Sequence, residues 1–331
     1  MDVSNYIIQT FYDNKIYLEL ISKRETSLLK SFNYKISNLK TINKLAQIVK
    51  MLEASIDTKI IYNLSFNELT IQLCEEGKKP FLFENYIMQG ERNRDNIFLG
   101  ISRDGNPIFE SVDNIKSLLI GGSSGFGKSN LLHQIIMSYL LLNDNNYLML
   151  IDPKYTEFSW YKKSFLKNRL VMDVANSFDD AKKVLIAFSN LIDERYKKMK
   201  NRNLRFSDEP SILLVIDEYA SLFIDATQKK VINALISRIA SLGRAARCYL
   251  VIATQHPTND NLTNSIRVNL QSKLALHCES KNQSLNILEN SEATGLTEKG
   301  DFVLKVDGDK KAIHGRASLV TDAVLNRCLK A

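Results

Sequence analysis

The segment GGSSGFGKSN, residues 121–130, holds the densest chemistry in the chain. Gly122, Gly127, Lys128 and Ser129 fit the pattern of glycine, four residues, then Gly-Lys-Ser/Thr. Glycines let successive backbone N–H groups turn inward around an anion. A helix opening at that point adds its N-terminal partial positive charge. In this chemistry Lys128 reaches the β- and γ-phosphates and Ser129 offers its hydroxyl to Mg²⁺. Ser123, Ser124, Gly125, Phe126 and Asn130 complete the cradle. The pattern predicts ATP and Mg²⁺ as cofactors.

A second cluster, ILLVIDEYA at 212–220, is an apolar run tipped with two acids. Open α/β sheets place ligand groups at the carboxyl ends of their strands. There Asp217 would hold the Mg²⁺ shell, and Glu218 would orient or polarise the attacking water. Adjacent acids favour hydrolysis over transfer to a small acceptor, because a water-activating carboxylate is built in. CYLVIATQHP at 248–257 puts Gln255 at the end of a further strand. Its side chain could touch a γ-phosphate and report its loss. The same spacing also suits a residue that caps the strand end.

These groups need strand–loop–helix units to position them. Apolar runs at 117–122, 147–152, 211–218, 248–255 and 273–278 read as buried strands. Helical patterns cover 128–142, 177–200 and 229–243, and a further helix starts near 281. Ser177 is the expected N-cap of the second, with Asp179 and Asp180 in its first turn. Gly243 is the expected stop of the third. Residues 302–315 read as a closing hairpin with Asp307-Gly308 at its turn. The alternation predicts an α/β fold with a mainly parallel sheet covered on both faces. Residues 1–110 read differently, as a small α/β domain ahead of an ATPase domain over 111–331. A helix over 41–55 is expected from Ile42, Leu45, Ile48, Val49 and Leu52, a strand over 70–76, and a turn at 105–107.

Composition narrows the classes. Of 331 residues, 44% are hydrophobic and 24% charged, which excludes a disordered chain. Lys+Arg 44 against Asp+Glu 37 gives +7, a mild excess that suits a polyanion partner without establishing one. Cys74, Cys248, Cys278 and Cys328 are scattered, and the four histidines keep no zinc spacing, so neither a disulfide framework nor structural zinc is expected. The first residues carry Asp2 and Asp13 and no apolar core, unlike a signal peptide. The most apolar stretch, Leu131 to Leu142, is interrupted by His133, Gln134 and Ser138 and is too short to span a bilayer. A cytoplasmic location is expected.

Together the segments resemble the FtsK/SpoIIIE family of DNA-translocating ATPases over roughly residues 30–310. The matching stretches are LLIGGSSGFGKSN, LMLIDPKYTEFSWY, ILLVIDEYASL, LISRIASLGRAARCYLVIATQHPTND, and NSIRVNLQSKLALHCESKNQS through GDFVL. The resemblance implies a RecA-like P-loop NTPase preceded by a small α/β domain. It further implies a homo-hexameric ring around double-stranded DNA, with ATP between subunits and an arginine supplied by the neighbour. By position Arg244 and Arg238 are the candidates, with Arg267 behind them, and spacing does not choose among them. Where the family places channel-lining loops, ERYKKMKNRNLR at 194–205 offers Lys197, Lys198, Lys200, Arg202 and Arg205 to DNA phosphates. The same run also suits a solvated helix end whose cations favour the macrodipole. Asp152 and Lys154, in the IDPK stretch that precedes Glu157, acquire no chemical role from sequence. Tyr155, Phe158, Trp160 and Tyr161 read as packing rather than base stacking.

Two departures bear on context. Cell-division members of the family carry membrane helices before the motor and a winged-helix domain after it, and neither is expected here. His256 stands where arginine is common in the family's ATQRP. The untethered form points to plasmid or phage DNA transfer or packaging, with a partner protein from the mobile element. The expected function is an ATP-driven double-stranded DNA translocase. A coupling or secretion ATPase acting on a protein or nucleoprotein, and a nucleotide-binding assembly protein without turnover, remain alternatives.

Overall fold

The computed structural model describes residues 2–25, 29–37, 44–58, 60–74, 81–91, 95–163, 168–258, 260–309 and 311–325. Ile42, Glu75, Glu76 and Cys328 lie outside the described residues. The chain forms two compact units, Met1–Pro80 with Arg103–Asn106, and Phe81–Ser102 with Pro107–Ala331. Sequence patterning put the boundary near 110, whereas the strands on either side of 103–106 belong to the sheet of the larger unit.

The smaller unit runs α1 (Val3–Asp13), β1 (Leu18–Glu25), β2 (Leu29–Ile36), α2 (Leu45–Ile56), β3 (Ile60–Ser65) and β4 (Glu68–Cys74). Its sheet is antiparallel, in the order β1-β2-β4-β3. Alternation makes one face of it apolar: Phe32, Tyr34 and Ile36 of β2 join Leu69, Ile71 and Leu73 of β4 in the core. Leu45, Ile48, Val49 and Leu52 close that core from α2, at the helical spacing read from the sequence.

The larger unit continues with α3 (Glu84–Ile87), β5 (Asn96–Ser102), β6 (Pro107–Ser111), α4 (Val112–Ile115), β7 (Ser117–Gly121), α5 (Lys128–Leu142), β8 (Tyr147–Ile151) and α6 (Phe178–Arg202). After these come β9 (Ile212–Ile216), α7 (Ala226–Leu242), β10 (Cys248–Thr254), α8 (Asn264–Asn269), β11 (Ser272–Ala275), α9 (Lys281–Leu288), β12 (Asp301–Lys305) and β13 (Ile313–Arg316). One nine-stranded sheet has the order β6-β5-β13-β12-β11-β7-β10-β9-β8. The strands β11, β7, β10, β9 and β8 are parallel, and the remaining four extend them antiparallel through two hairpins. Gly308, at φ 90°, takes the left-handed conformation in the β12–β13 turn.

Unbroken apolar strands require cover on both faces. The central strands β7, β9 and β10 are buried along their whole lengths. Helix α5 is buried on nearly every side, and its buried polar residues are bonded. Gln134 donates to the Phe98 carbonyl at 3.0 Å, and the Ser138 hydroxyl accepts the Phe98 N–H at 2.9 Å. Helix α6 is capped at Ser177, whose hydroxyl accepts the Asp180 N–H at 3.1 Å. Helix α7 starts earlier than its apolar pattern, because Asp225 accepts the Gln228 N–H at 2.8 Å and caps it there. Gly243 does end α7, but at a right-handed φ of −62°. Its glycine requirement is steric: a Cβ there would lie 2.1 Å from the Cys248 carbonyl oxygen.

The parallel register sets up the site. Gly121 pairs with Thr254, and Ile216 pairs with both Ile252 and Ile151. The residues that follow, Gly122, Gln255, Asp217 and Asp152, therefore leave the sheet along one edge.

Candidate nucleotide site

The loop from β7 to α5 turns on three glycines with positive φ: Gly122 at 157°, Gly125 at 82° and Gly127 at 98°. Gly127 is the N-cap of α5, so the first turn of that helix opens into the loop. The loop is clamped from outside. Ser123 N–H donates to the His277 carbonyl at 2.8 Å, Gly300 N–H donates to the Phe126 carbonyl at 3.0 Å, and the Phe126 ring stacks on His277 with centroids 4.1 Å apart. Ser124 and Gly125 stay exposed. Asn130 uses its amide elsewhere, donating to the Ser318 carbonyl at 2.6 Å and accepting the Val320 N–H at 2.8 Å.

Lys128 is only 4% exposed and is ion-paired with Asp217. Its Nζ also lies 4.0 Å from Glu218 Oε2. Burial raises the Asp217 carboxyl above the usual carboxylate range, against the pull of the Lys128 charge. Glu218, 1% exposed, is more tightly held. Its carboxylate accepts the Thr254 hydroxyl at 3.1 Å and the Gln255 N–H at 3.1 Å. Its backbone is left-handed at φ 51°, a conformation that costs a non-glycine residue about 1–3 kcal/mol. The structure thus brings together Gly122, Gly127, Lys128, Ser129, Asp217, Glu218 and Gln255.

The loop after β8 supplies residues whose role sequence patterning leaves open. Asp152 is fully buried, and its Oδ2 accepts the N–H groups of Glu157 and Phe158, both at 2.9 Å, folding the loop back on itself. That fold carries Lys154 to 3.7 Å from Glu218 Oε2. It carries Glu157 Oε2 to 3.5 Å from His133 Nε2. Hydrogen bonding from His133 holds the Glu157 carboxyl below its ordinary value; burial opposes this, and Ser129 and Lys128 assist it. The sequence signal was the IDPK stretch with its following glutamate. The aromatic cluster there divides: Phe158 and Tyr161 are buried as expected, whereas Trp160 and Tyr155 are exposed, with Lys162 over the Tyr155 ring.

Mg²⁺ keeps several waters and needs only one or two protein oxygens beside the phosphates. Ser129 and the buried Asp217 carboxylate fit that demand. Among the described residues no three acidic, histidine or cysteine side chains converge to hold an ion unaided.

Other predicted residues lie apart. Arg238 spans α7 to α6, ion-paired with Asp193 and donating to Ser189 Oγ at 2.9 Å. Arg267 donates to Asn286 at 3.0 Å and also to Asn264. Arg244 is exposed in the turn between α7 and β10. The basic run ends α6 at the opposite edge of the sheet. Ser207 N–H there donates to the Ala245 carbonyl at 2.8 Å, and Arg195 donates to the Pro210 and Ala246 carbonyls ahead of β9 and β10. Within the run Lys198 pairs with Glu209 at 2.8 Å and Arg202 with Asp208 at 2.6 Å, while Lys197, Lys200 and Arg205 are exposed. Among the described residues no helix is long and apolar enough to cross a membrane.

The model of the FtsK/SpoIIIE family matches residues 87–209 and 201–259. The DNA translocase FtsK of Borreliella burgdorferi is 28% identical over 283 residues, covering 80% of this chain and 36% of that protein. The chain spans roughly a third of the length of the curated relatives it matches. Among solved structures, the pCW3 conjugation coupling protein TcpA, a monomer form with ATPγS, shares the fold at TM-score 0.69 and 21% identity, covering 99% of both chains. The cytoplasmic domain of the Thermomonospora curvata type VII secretion ATPase EccC shares it at TM-score 0.61 and 17% identity, covering 73% of this chain and 32% of that one. These structural likenesses identify a P-loop ATPase fold.

Proposed function

This chain belongs to the FtsK/SpoIIIE family, and from that premise we propose that it is an ATPase that moves double-stranded DNA. The observation that carries the reading is the convergence of Lys128, Asp217 and Glu218 beside a glycine loop that opens a helix. Lys128 and the loop N–H groups grip the β- and γ-phosphates. Ser129 and Asp217 would hold Mg²⁺, which when bound offsets phosphate charge. Glu218 takes a proton from the attacking water. The Gln255 backbone N–H bonds that carboxylate, and the role proposed for its side chain is to couple loss of the γ-phosphate to movement of the end of β10.

The assembly we propose is a homo-hexameric ring with ATP between subunits. Arg244 is our choice for the arginine acting across the interface. Arg238 and Arg267 are each tied to side-chain partners within their own subunit, whereas Arg244 is exposed in the turn between α7 and β10. Lys197, Lys200 and Arg205 are the proposed phosphate contacts, with the paired Lys198 and Arg202 beside them. The setting we propose is cytoplasmic DNA transfer by a mobile element together with a partner protein. The fold shared with TcpA motivates that setting, whose test is loss of transfer in cells carrying Glu218→Gln.

The biochemical test is ATP hydrolysis with and without linear duplex DNA across a salt series. Stimulation by DNA that fades steeply with salt is the expected result. Stimulation by a protein alone would make the chain a coupling or secretion ATPase, and absence of turnover would make it an assembly protein. Glu218→Gln is expected to keep nucleotide binding and lower hydrolysis by about 10²–10⁴-fold. Unchanged turnover would remove Glu218 from the reaction.

A further inference from the structure

We infer that Arg195 is a positioning residue that ties DNA contact on α6 to the placement of Arg244 at the neighbouring subunit's nucleotide. The inference rests on the function proposed above and extends it to how occupancy of one surface sets the rate at another.

Residues 243–248 turn the chain from α7 into β10, and within them Arg244 is the exposed residue. The turn closes on itself, with Arg247 N–H donating to the Arg244 carbonyl at 3.0 Å and Cys248 N–H to the Gly243 carbonyl at 2.9 Å. Arg247 is ion-paired with the buried Asp95, whose carboxylate also accepts the Asn143 amide at 2.8 Å. Helix α6 grips the turn from another side. Arg195, 4% exposed, donates from Nη1 to the Ala246 carbonyl at 2.8 Å and the Arg247 carbonyl at 3.3 Å. Its Nη2 donates to the Pro210 carbonyl at 2.7 Å. Beside it the Tyr196 hydroxyl donates to the Leu242 carbonyl at 3.2 Å. A guanidinium is a rigid planar fork, so bonds from two of its nitrogens fix the geometry of the segments it joins.

The same helix carries the basic run. Lys197 and Lys200 follow Arg195 within about two turns. The chain beyond α6 folds back along it, held by the Lys198–Glu209 and Arg202–Asp208 pairs. On that stretch Arg205 stands two residues before Ser207, whose N–H donates to the Ala245 carbonyl at 2.8 Å. Each proposed phosphate contact therefore lies on chain that is bonded directly to the turn bearing Arg244. DNA that draws on these cations shifts the segment gripping residues 242–247, and Arg244 moves with it. A displacement of about 1 Å at a reacting site can cost about 10²-fold in rate. The brace thus converts DNA occupancy into turnover.

The test uses the full chain and Arg195→Lys, which keeps the charge but replaces the fork with a point donor. In saturating linear duplex DNA, kcat for ATP is expected to fall by about 10²-fold. KM for Mg–ATP and Kd for DNA should stay within about twofold of wild type. In an Arg244→Ala background the same change should add less than about twofold. A merely structural arginine would weaken DNA or nucleotide binding in step with kcat, or add fully to Arg244→Ala, and either result overturns the proposal. Subunit mixing gives the decisive readout. Arg195→Lys subunits keep an intact Glu218, and Glu218→Gln subunits keep a well-held Arg244. Mixed together they should hydrolyse ATP faster than the two variants measured separately, as should Arg244→Ala mixed with Glu218→Gln. If only the Arg244→Ala mixture recovers, this inference alone fails. If neither recovers, the assignment of Arg244 fails and takes the inference with it. Should Arg195→Lys fail to fold, Tyr196→Phe decides, because it removes the adjacent bond to Leu242 and keeps the ring. Unchanged stimulation by DNA in that variant overturns the coupling.

Discussion

The two ends of the parallel sheet treat charge in opposite ways. At the carboxyl ends of the strands Lys128, Asp217 and Glu218 are 4%, 3% and 1% exposed and satisfy one another. At the amino ends Lys197, Lys200 and Arg205 stand in solvent, beside pairs that are themselves exposed. Removing one partner of a buried pair costs about 3–5 kcal/mol, whereas exposed pairs contribute about 0–1 kcal/mol. The first end therefore demands particular residues at particular places. The second tolerates rearrangement, which suits a surface that follows a phosphate backbone without reading bases.

The largest effect should come from the buried end. Lys128→Ala is expected to abolish ATP turnover and also to destabilise the fold by about 3–5 kcal/mol in urea unfolding, because it leaves Asp217 buried without its cation. A stable, fully active variant would erase the contrast between the ends. Next comes the arginine test. Arg244→Ala should lower hydrolysis by about 10³–10⁵-fold, while Arg238→Ala should leave it within about tenfold, since it removes an exposed pair to Asp193 and a hydrogen bond to Ser189 away from the nucleotide site. The reverse order would show that the α6–α7 tether opens on assembly.

The exposed end gives a graded effect. Replacing Lys197, Lys200 and Arg205 with alanine should reduce the salt slope of DNA binding by about 0.9 for each DNA phosphate no longer neutralised, with Mg–ATP binding unchanged. An unaltered slope would move the DNA-binding surface off this end of the sheet. The smallest effect sharpens the comparison from the middle. Ser177→Ala removes the cap of the helix that joins the two ends and should cost about 1 kcal/mol in unfolding without touching either activity.

Contiguity decides how much of this was legible in the sequence. The glycine loop and the acid-tipped strand each announce themselves within ten residues, and the parallel register then brings them level. Helix α5 was legible to the residue, since its first turn is part of the same motif. Lys154 and Glu157 were not, because their positions depend on the loop that Asp152 folds back. The partner of Asn130 was equally hidden, lying in a backbone stretch far along the chain. Strand β5 could not be assigned to the larger unit from sequence, because its neighbour β13 arrives some two hundred residues later. Gly243 was legible as the stop of α7, whereas the reason glycine is needed there, the approach of the Cys248 carbonyl, was not.

The central claim, that the glycine loop and the acid-tipped strand form one triphosphate grip, is tested most directly by thermal unfolding of the wild-type chain with Mg–ATP. A ligand held only by the folded state stabilises it by about 2.7 kcal/mol at a hundredfold excess over Kd. The account predicts an upward shift in Tm that requires Mg²⁺ and vanishes in Lys128→Ala. A Tm indifferent to Mg–ATP, or a shift that survives loss of Lys128, would contradict it.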